Sequence, residues 1–231
     1  MRELYVFCEG PTEQGFCEQV LERHLLQFDG CIHAIKIAHS RRDGIIDRGG
    51  IGKYETLRFD IQSTMKSRKQ NQGVYFTTMI DLYGLPSDFP GKADHVRNPN
   101  NPRPYCEALE QAFGADIGDA RFVPHLQLHE YETLLYSDPD AFAISFDDCD
   151  GAIAGLKAVV AEFHDVERIN DGELTAPSKR IIGLLDAYQG MKPTAGPDIA
   201  EYIGLVKLRE RCPHFSDWVH RLEKRIQGAP T

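Results

Sequence analysis

The stretch Tyr5–Glu13, YVFCEGPTE, joins an apolar strand to a tight turn and the start of a helix. The run from Glu3 to Cys8 is typical of a short strand that is buried on both faces. Many α/β proteins place a ligand at such a junction, and loops that hold phosphate there are rich in glycine and often carry lysine. This junction presents two carboxylates, Glu9 and Glu13. The question is which ligand two carboxylates bind at the carboxyl end of the first strand.

Strands and helices alternate outward from this junction, and the pattern predicts a parallel sheet covered by helices. Thr12 is a plausible N-cap for the first helix. The further predicted elements are a strand at Cys31–Ala38, a loop at His39–Gly52, a helix at Lys53–Lys69, a strand at Val74–Ile80, a helix around Tyr105–Phe113 and a strand at Arg121–Leu128.

Strand signals fade beyond residue 138, and the segments GAIAGLKAVVAEFH, SKRIIGLLDAY and DWVHRLEKRI are typical of amphipathic helices. We therefore expect an α/β core over residues 1–138, with a Rossmann-like central parallel sheet flanked by helices. A helical C-terminal third, residues 139–231, is expected to pack on that core. The last of its helices carries the single tryptophan, Trp218, which either packs on the core or forms a surface for a partner.

Composition narrows the classes of function. The 231 residues are 42% hydrophobic, enough for one good core. The net charge of -9 argues against general electrostatic binding of nucleic acid, which would need a local basic patch, a metal or a partner. The six cysteines form no C-x-x-C pair, which favours reduced thiols. The first residues lead directly into the first strand, without the basic and apolar regions typical of a signal peptide, and no apolar run reaches about 18 residues. We expect a cytoplasmic protein with no membrane partner.

Acids follow three of the predicted strands. Glu9 follows the first, with Glu13 one helical turn on, Asp81 follows the third, and Glu130 and Glu132 follow the fourth. Ligands of open parallel sheets gather at the carboxyl ends of the strands. Like charges there raise one another's pKa unless a cation lies between them, and all-carboxylate ligation suits Mg²⁺ or Mn²⁺ better than Zn²⁺. The sequence thus predicts a metal site at this edge.

Each acid also has a simpler explanation. Glu13 lies in the first turn of a helix, where an acid favours the helix dipole. Asp81 is able to cap a turn. Glu130 and Glu132 are two residues apart, so they share a face only on a strand, and one of them is open to being merely solvated. The metal hypothesis depends on all of these groups together.

Two histidines precede the last acids. His125 and His129 have the H-x-x-x-H spacing of a zinc pair on a helix, but the flanking residues RFVPHLQLHEY alternate as in a strand. That pattern separates the two imidazoles by roughly 13 Å and argues against zinc. His129, beside the acids, is a candidate for acid–base chemistry, with a hydrogen-bonded core histidine as the alternative.

Basic residues indicate a second candidate site, one that would bind phosphate. In the segment APSKRI, Ser178 is placed to cap a helix whose positive end, together with Lys179, is suited to meet a phosphate. The alternative for Lys179 is a solvated helix face.

Four segments, in order, resemble a bacterial family known as domain of unknown function 4276, which is grouped with the Toprim-like fold of topoisomerases, primases and nucleases of the overcoming-lysogenization-defect type. They are CEGPTEQGF, TTMIDLYGLPSDFPG, QLHEYETLLYSDP and PSKRI, within roughly residues 1 to 190. Toprim enzymes are similar in having a glutamate after strand one and Asp-x-Asp after strand three, which bind Mg²⁺. Glu9 matches the glutamate after strand one, and Glu13 matches a further acid that nuclease members tend to show. Asp81 matches the first aspartate of Asp-x-Asp, and Tyr83 stands at the position of the second aspartate.

The resemblance implies metal-assisted hydrolysis of a phosphodiester in DNA or RNA, with Mg²⁺ or Mn²⁺ held by Glu9, Asp81 and, as we infer from spacing, Glu130 or Glu132. Glu13 or His129 would move the proton, and Lys179 would offset charge on the phosphate. Nucleases of the similar type are often coupled to an ATPase, and this chain carries no Walker A sequence. The implied partner is a separate ATPase subunit, in a setting such as phage defence.

Two other functions remain open at this point. Tyr83 at the second-aspartate position favours a non-catalytic scaffold that binds an ATPase or nucleic acid. The same acids also suit another phosphoryl-transfer or phosphatase activity.

Overall fold

A computed structural model describes residues 1–42, 45–48, 51–68, 72–163, 165–169, 172 and 174–228. Its strands are β1 (Arg2–Cys8), β2 (Gly30–Lys36), β3 (Ala38–Arg42), β4 (Ile45–Arg48), β5 (Val74–Met79) and β6 (Phe122–Val123). Strands β2, β1, β5 and β6, in that order, form a sheet whose pairings are all parallel. The predicted α/β class with a central parallel sheet is confirmed.

The helices are α1 (Pro11–Phe16), α2 (Glu22–Leu26), α3 (Tyr54–Ser67), α4 (Arg103–Ile117), α5 (Asp150–Phe163), α6 (Pro177–Leu184), α7 (Tyr188–Ile203), α8 (Leu205–Arg211) and α9 (Pro213–Gln227). A π-helical segment (Cys17–Leu21) joins α1 to α2, and three 3₁₀ segments (Tyr131–Ser137, Pro139–Ile144 and Val166–Arg168) follow β6. The C-terminal part is helical, as predicted.

Strand β1 contributes to two buried clusters because its side chains alternate between the faces of the sheet. Leu4, Val6 and Cys8 belong to one cluster, which includes residues of α1, α7 and α9. Tyr5 and Phe7 belong to the other, which includes residues of α3 and α4. Burial on both faces explains why the strand is almost continuously apolar.

The register of the sheet brings the strand ends together. Cys8, the last residue of β1, pairs with Met79, the last residue of β5. An isolated parallel bridge between Asp81 and Gln127 continues the pairing beyond β6. The residues after β1, after β5 and after Gln127 therefore leave the sheet at one edge.

Three local expectations are wrong. The fourth strand, expected over Arg121–Leu128, is confined to Phe122–Val123, and the chain beyond it keeps only the isolated bridge. The segment expected to be a loop after β2 includes β3 and β4, which pair antiparallel. The first helix begins at Pro11 with Gly10 as its N-cap, so Thr12 is not the cap. Proline suits the first helical position because its missing N–H has no helical partner there.

Helix α7 was not predicted, since Pro193 and Pro197 lie inside it and proline disfavours helix interiors. It packs closely on α1. A Cβ atom at Gly15 would lie 2.8 Å from Pro197, and one at Gly196 would lie 2.9 Å from Thr12. Glycine at both contact points therefore sets this close approach. A domain boundary near residue 138 stays a prediction.

Trp218 is fully buried, and its indole N–H donates to Thr77 Oγ1 of β5 at 2.8 Å. The sequence left two roles open for the last helix, packing on the core or forming a surface for a partner. Trp218 packs on the core.

The dependence of the core on β1 leads to a first prediction. Phe7→Ala should lower the free energy of unfolding by about 3–5 kcal/mol, because it empties a fully buried position. Urea unfolding followed by the fluorescence of Trp218 measures this. Val206→Ala, at an exposed site on α8, serves as the control and should change stability by about 0.5 kcal/mol or less. Equal midpoints for the two variants would contradict this account of the core.

Candidate functional site

The acids predicted from the strand ends lie at one edge of the sheet and are tied together through the backbone. The Asp81 N–H donates to Glu9 Oε2 at 3.0 Å, and the Tyr131 N–H donates to Asp81 Oδ1 at 2.9 Å. The Glu9 N–H in turn donates to the Met79 carbonyl at 3.1 Å. The carboxylates of Glu9 and Asp81 are thus each held by a backbone N–H of the chain segment that follows a neighbouring strand.

Glu13 joins this edge from α1. Its carboxylate accepts a hydrogen bond from the N–H of Gly10, the N-cap, at 2.8 Å. This is one half of a capping box, in which an acid on the first turn folds back over the helix start. The side chain is buried, so the position does more than offer a charge to the helix dipole.

Glu130 and Glu132 are both buried, which removes the alternative that one of them is merely solvated. Glu130 accepts hydrogen bonds from the N–H of Ser178 and, at 3.0 Å, from its hydroxyl. Glu132 accepts from the Tyr188 hydroxyl at 3.3 Å and pairs with Lys192 Nζ at 3.0 Å. Helices α6 and α7 therefore complete the edge that the strands begin.

Burial and mutual repulsion act together on these acids. Burial raises the pKa of Glu9, and it raises that of Glu13 to about 8, with the charges of Glu9 and Glu132 adding to the effect. The pKa of Asp81 lies well above its usual value because of burial and the negative charges around it. Burial and Glu132 raise the pKa of Glu130 to about 7. We call Glu9, Glu13, Asp81, Glu130 and Glu132 the acid cluster.

The acid cluster offers carboxylate oxygens as metal ligands, but these oxygens are not all close to one another. Among the described residues, no donor bonds Glu9 Oε1 or Asp81 Oδ2, so these atoms remain available. Within that same part of the chain, however, no three acids of the cluster place ligand atoms within 4.8 Å of one another. Ligation by three carboxylates would require side-chain rotation. Two carboxylates with water ligands suffice for Mg²⁺, which usually keeps several waters.

His129 is fully buried beside the acid cluster, with a φ of 60° that few residues other than glycine adopt. Its Nε2 lies 3.2 Å from the Glu167 carbonyl oxygen and its Nδ1 lies 3.3 Å from Arg97 Nη2. The ring is therefore held in place, as the core-histidine alternative expects. Its role in proton transfer stays a prediction.

The predicted phosphate position is arranged differently from the expectation. The N–H and hydroxyl of Ser178, at the start of α6, are used by Glu130. Lys179 is exposed, and its role stays a prediction. Tyr83 is 54% exposed and follows Asp81 at the same edge.

A second group of ligating side chains lies outside the acid cluster. Cys106, Glu110 and His214 are buried and place one ligand atom each within 4.8 Å of the others, a spacing that would allow a metal ion. Sequence reasoning missed this group. The i, i+4 pair of Cys106 and Glu110 on α4 was an available signal, but His214 is remote in sequence.

Burial alone would raise the pKa of Glu110, but the close imidazoles of His125 and His214 outweigh burial and hold that pKa well below its usual range. Burial lowers the pKa of His125 to about 4, although Glu110 opposes this shift. Burial also acts to lower the pKa of His214, and Glu110 reverses the direction.

Taken together, the parallel sheet and the acids at its carboxyl edge define an α/β protein with an acidic candidate site. The model of one family, described as Domain of unknown function (DUF4276), matches residues 8–223, and the chain belongs to that family. Neither the comparison with curated proteins nor that with solved structures gives a significant match. Over the described part of the chain, no helix has the length and apolar character needed to cross a membrane.

The raised pKa values predict how stability depends on pH. A carboxyl group whose pKa is higher in the folded chain than in the unfolded chain takes up a proton on folding. Its contribution to stability is complete below the ordinary value of 4.5 and is lost as the pH rises through the folded value, about 7 for Glu130 and about 8 for Glu13. Metal-free protein should therefore lose stability between about pH 5 and pH 8.

Urea unfolding in a chelating buffer across this range measures the loss. Glu13→Gln removes one of the titrating groups, so the stability of this variant should fall less steeply with pH. Glu162→Gln, at an exposed position on α5, should follow the wild type. Parallel profiles for wild type and Glu13→Gln would show that Glu13 does not titrate in this way.

Proposed function

We propose that the acid cluster is the active site of a nuclease that hydrolyses phosphodiesters of DNA or RNA with Mg²⁺ or Mn²⁺. The observation that carries this proposal is the meeting of five buried or half-buried carboxylates, from β1, α1, β5 and the segment after Gln127, at one sheet edge. Buried like charges destabilise a fold. A divalent cation at that edge would offset the cost.

The donor set fits such an ion. Glu9 and Asp81 are the ligands we assign, because each keeps one oxygen to which no described residue donates. When bound, Mg²⁺ or Mn²⁺ supplies a Lewis acid that lowers the pKa of a water molecule and offsets charge on the phosphate. Glu130 and Glu132 are assigned as further ligands that require side-chain rotation, since their present partners are Ser178, Tyr188 and Lys192.

The chain's own groups then handle the protons. In hydrolysis, a bond forms between phosphorus and the water oxygen, the bond to the leaving oxygen breaks, and the proton of the water must go to a base. We assign that base to Glu13, which reaches the same edge from a different element, with His129 as the second candidate. Lys179 is assigned to the charge of the substrate phosphate from its place beside Ser178.

The net charge of -9 repels the phosphates of DNA or RNA, so binding of the substrate by this chain alone is unfavourable. We therefore include a separate ATPase subunit in the proposal, as the resemblance to Toprim-like nucleases implies, with phage defence as the setting. A scaffold that binds such a subunit without turnover is the second candidate, and Tyr83 at the position of the second aspartate favours it.

Cleavage of supercoiled plasmid and of labelled single-stranded DNA and RNA, with Mn²⁺ or Mg²⁺, tests the nuclease proposal. Glu9→Gln and Asp81→Asn should each lower the rate by about 100-fold or more, because they remove a metal ligand. Glu162→Gln is the matched control and should cleave as the wild type does. If wild type is inert alone, the same assay is run with ATP and any ATPase that a neighbouring gene is found to encode. Absence of cleavage in that assay as well would contradict the nuclease proposal.

Metal binding is tested separately from turnover. Mg²⁺ that binds only the folded chain must raise the melting temperature, by about 5–10 °C at 100 times its Kd. The rise should be absent in Glu9→Gln and Asp81→Asn. A rise in wild type without cleavage under any condition would favour the scaffold, whereas no rise would contradict the metal site itself.

A further inference from the structure

The second ligating group joins two helices that are far apart in sequence. Cys106 and Glu110 lie one turn apart on α4, and His214 is the second residue of α9. All three side chains are buried. The group therefore lies at the contact between α4 and α9, away from the residues of the acid cluster.

The distances within this group suit a tetrahedral metal ion. Cys106 Sγ lies 3.6 Å from His214 Nε2, which lies 3.1 Å from Glu110 Oε1. Around Zn²⁺, with bonds of roughly 2.0–2.3 Å, neighbouring ligand atoms of a tetrahedron are about 3.3–3.6 Å apart. The three atoms are close to that spacing without rearrangement of the backbone.

A fourth side chain points to the same conclusion independently. His125 is completely buried and stacks on Trp218, with ring centroids 4.2 Å apart. Its Nδ1 lies 3.3 Å from Glu110 Oε1 but at an angle that does not make a hydrogen bond, and neither ring nitrogen has a hydrogen-bond partner in the described part of the chain. A buried imidazole without a partner is unfavourable, and binding a metal through one nitrogen would satisfy it.

Other contacts supply hydrogen-bond partners to Cys106, Glu110 and His214, but not to His125. The Leu126 N–H donates to Glu110 Oε1 at 2.9 Å, and the Leu126 carbonyl oxygen lies 3.1 Å from His214 Nε2 and 3.4 Å from Cys106 Sγ. Arg221 also pairs with Glu110, at 3.3 Å. This network holds the group in place, whereas His125 adds only the 3.3 Å contact of its Nδ1 with Glu110 Oε1 and no hydrogen bond.

The ligand chemistry separates this group from the acid cluster. One thiolate, one carboxylate and two imidazoles suit Zn²⁺, while Mg²⁺ prefers oxygen ligands alone. A solvent-open cleft of about 300 Å³, lined in part by Glu110, His214 and Arg221, gives access to the group.

We propose that Cys106, Glu110 and His214 hold a zinc ion that fastens α9 to α4, and that His125, which lies outside this compact group, becomes the fourth ligand and adds the segment after β6 once its side chain rotates. With four protein ligands the site has no open position, so it is structural and supports folding directly. Its ion holds α9 against the sheet, where Trp218 bonds Thr77. Binding displaces the thiol proton of Cys106 to solvent, because thiolate is the form that ligates the metal. The proton on His214 Nε2, which faces Glu110 and the Leu126 carbonyl oxygen, must leave that nitrogen as well.

Metal analysis of the untagged full-length chain, purified without chelators, is the first test. We expect about one zinc per chain. Removal by a chelator should lower the melting temperature by about 5–10 °C, and Zn²⁺ but not Mg²⁺ should restore it, as expected for a ligand at about 100 times its Kd.

Cobalt substitution identifies the ligands. Co²⁺ bound at this site should give a thiolate-to-cobalt charge-transfer band, which Cys106→Ser abolishes. Cys31→Ser, which changes the half-buried cysteine of β2, should keep the band at full intensity. His125→Phe should weaken Co²⁺ binding by about 10-fold or more.

Two results would overturn the proposal. One is a wild-type chain without zinc, without a zinc-dependent rise in melting temperature and without the cobalt band, and it decides the matter even if Cys106→Ser fails to fold. The other is a band that survives in Cys106→Ser. Both are independent of the cleavage assays, because neither involves a residue of the acid cluster.

Discussion

The structure depends on hydrogen bonds from backbone N–H groups to buried carboxylates. Asp81 N–H binds Glu9, Tyr131 N–H binds Asp81, and Ser178 N–H binds Glu130. Such charge-assisted bonds are stronger than those between neutral groups, and they offset part of the cost of burying negative charge. They also fix where each chain segment leaves the sheet. The acids are thus structural ties between strand ends as well as candidate ligands.

This double role explains why the C-terminal helices matter to the sheet edge. The sheet supplies Glu9 and Asp81, but the partners of Glu130 and Glu132 come from α6 and α7. Helix α7 reaches that position through its close packing on α1, where Gly15 removes a side chain that would collide with Pro197. The edge that the strands create is therefore closed by residues more than forty positions further along the chain.

The sequence predicted the features that local pattern encodes. The apolar run of β1 and the acids directly after it required only one rule, namely that parallel strands buried on both faces end at a ligand-bearing edge. The shortness of β6 was missed because RFVPHLQL alternates as a strand does; Pro124, which lacks the N–H that a strand ladder needs, was the available signal. The pairings of Ser178, Lys192 and His214 with their acids were beyond pattern reasoning, since each pairing forms only through tertiary packing.

One residue joins the two regions described above. The carbonyl oxygen of Glu167 lies 3.2 Å from the ring of His129, while its carboxylate accepts hydrogen bonds from the N–H groups of His214 and Phe215 at the start of α9. A negative charge at that helix start is favourable to the helix dipole. The position of α9 is thereby linked to the strained turn beside the acid cluster. Loss of the Glu167 carboxylate would therefore release the start of α9 and leave the main-chain contact with His129 in place.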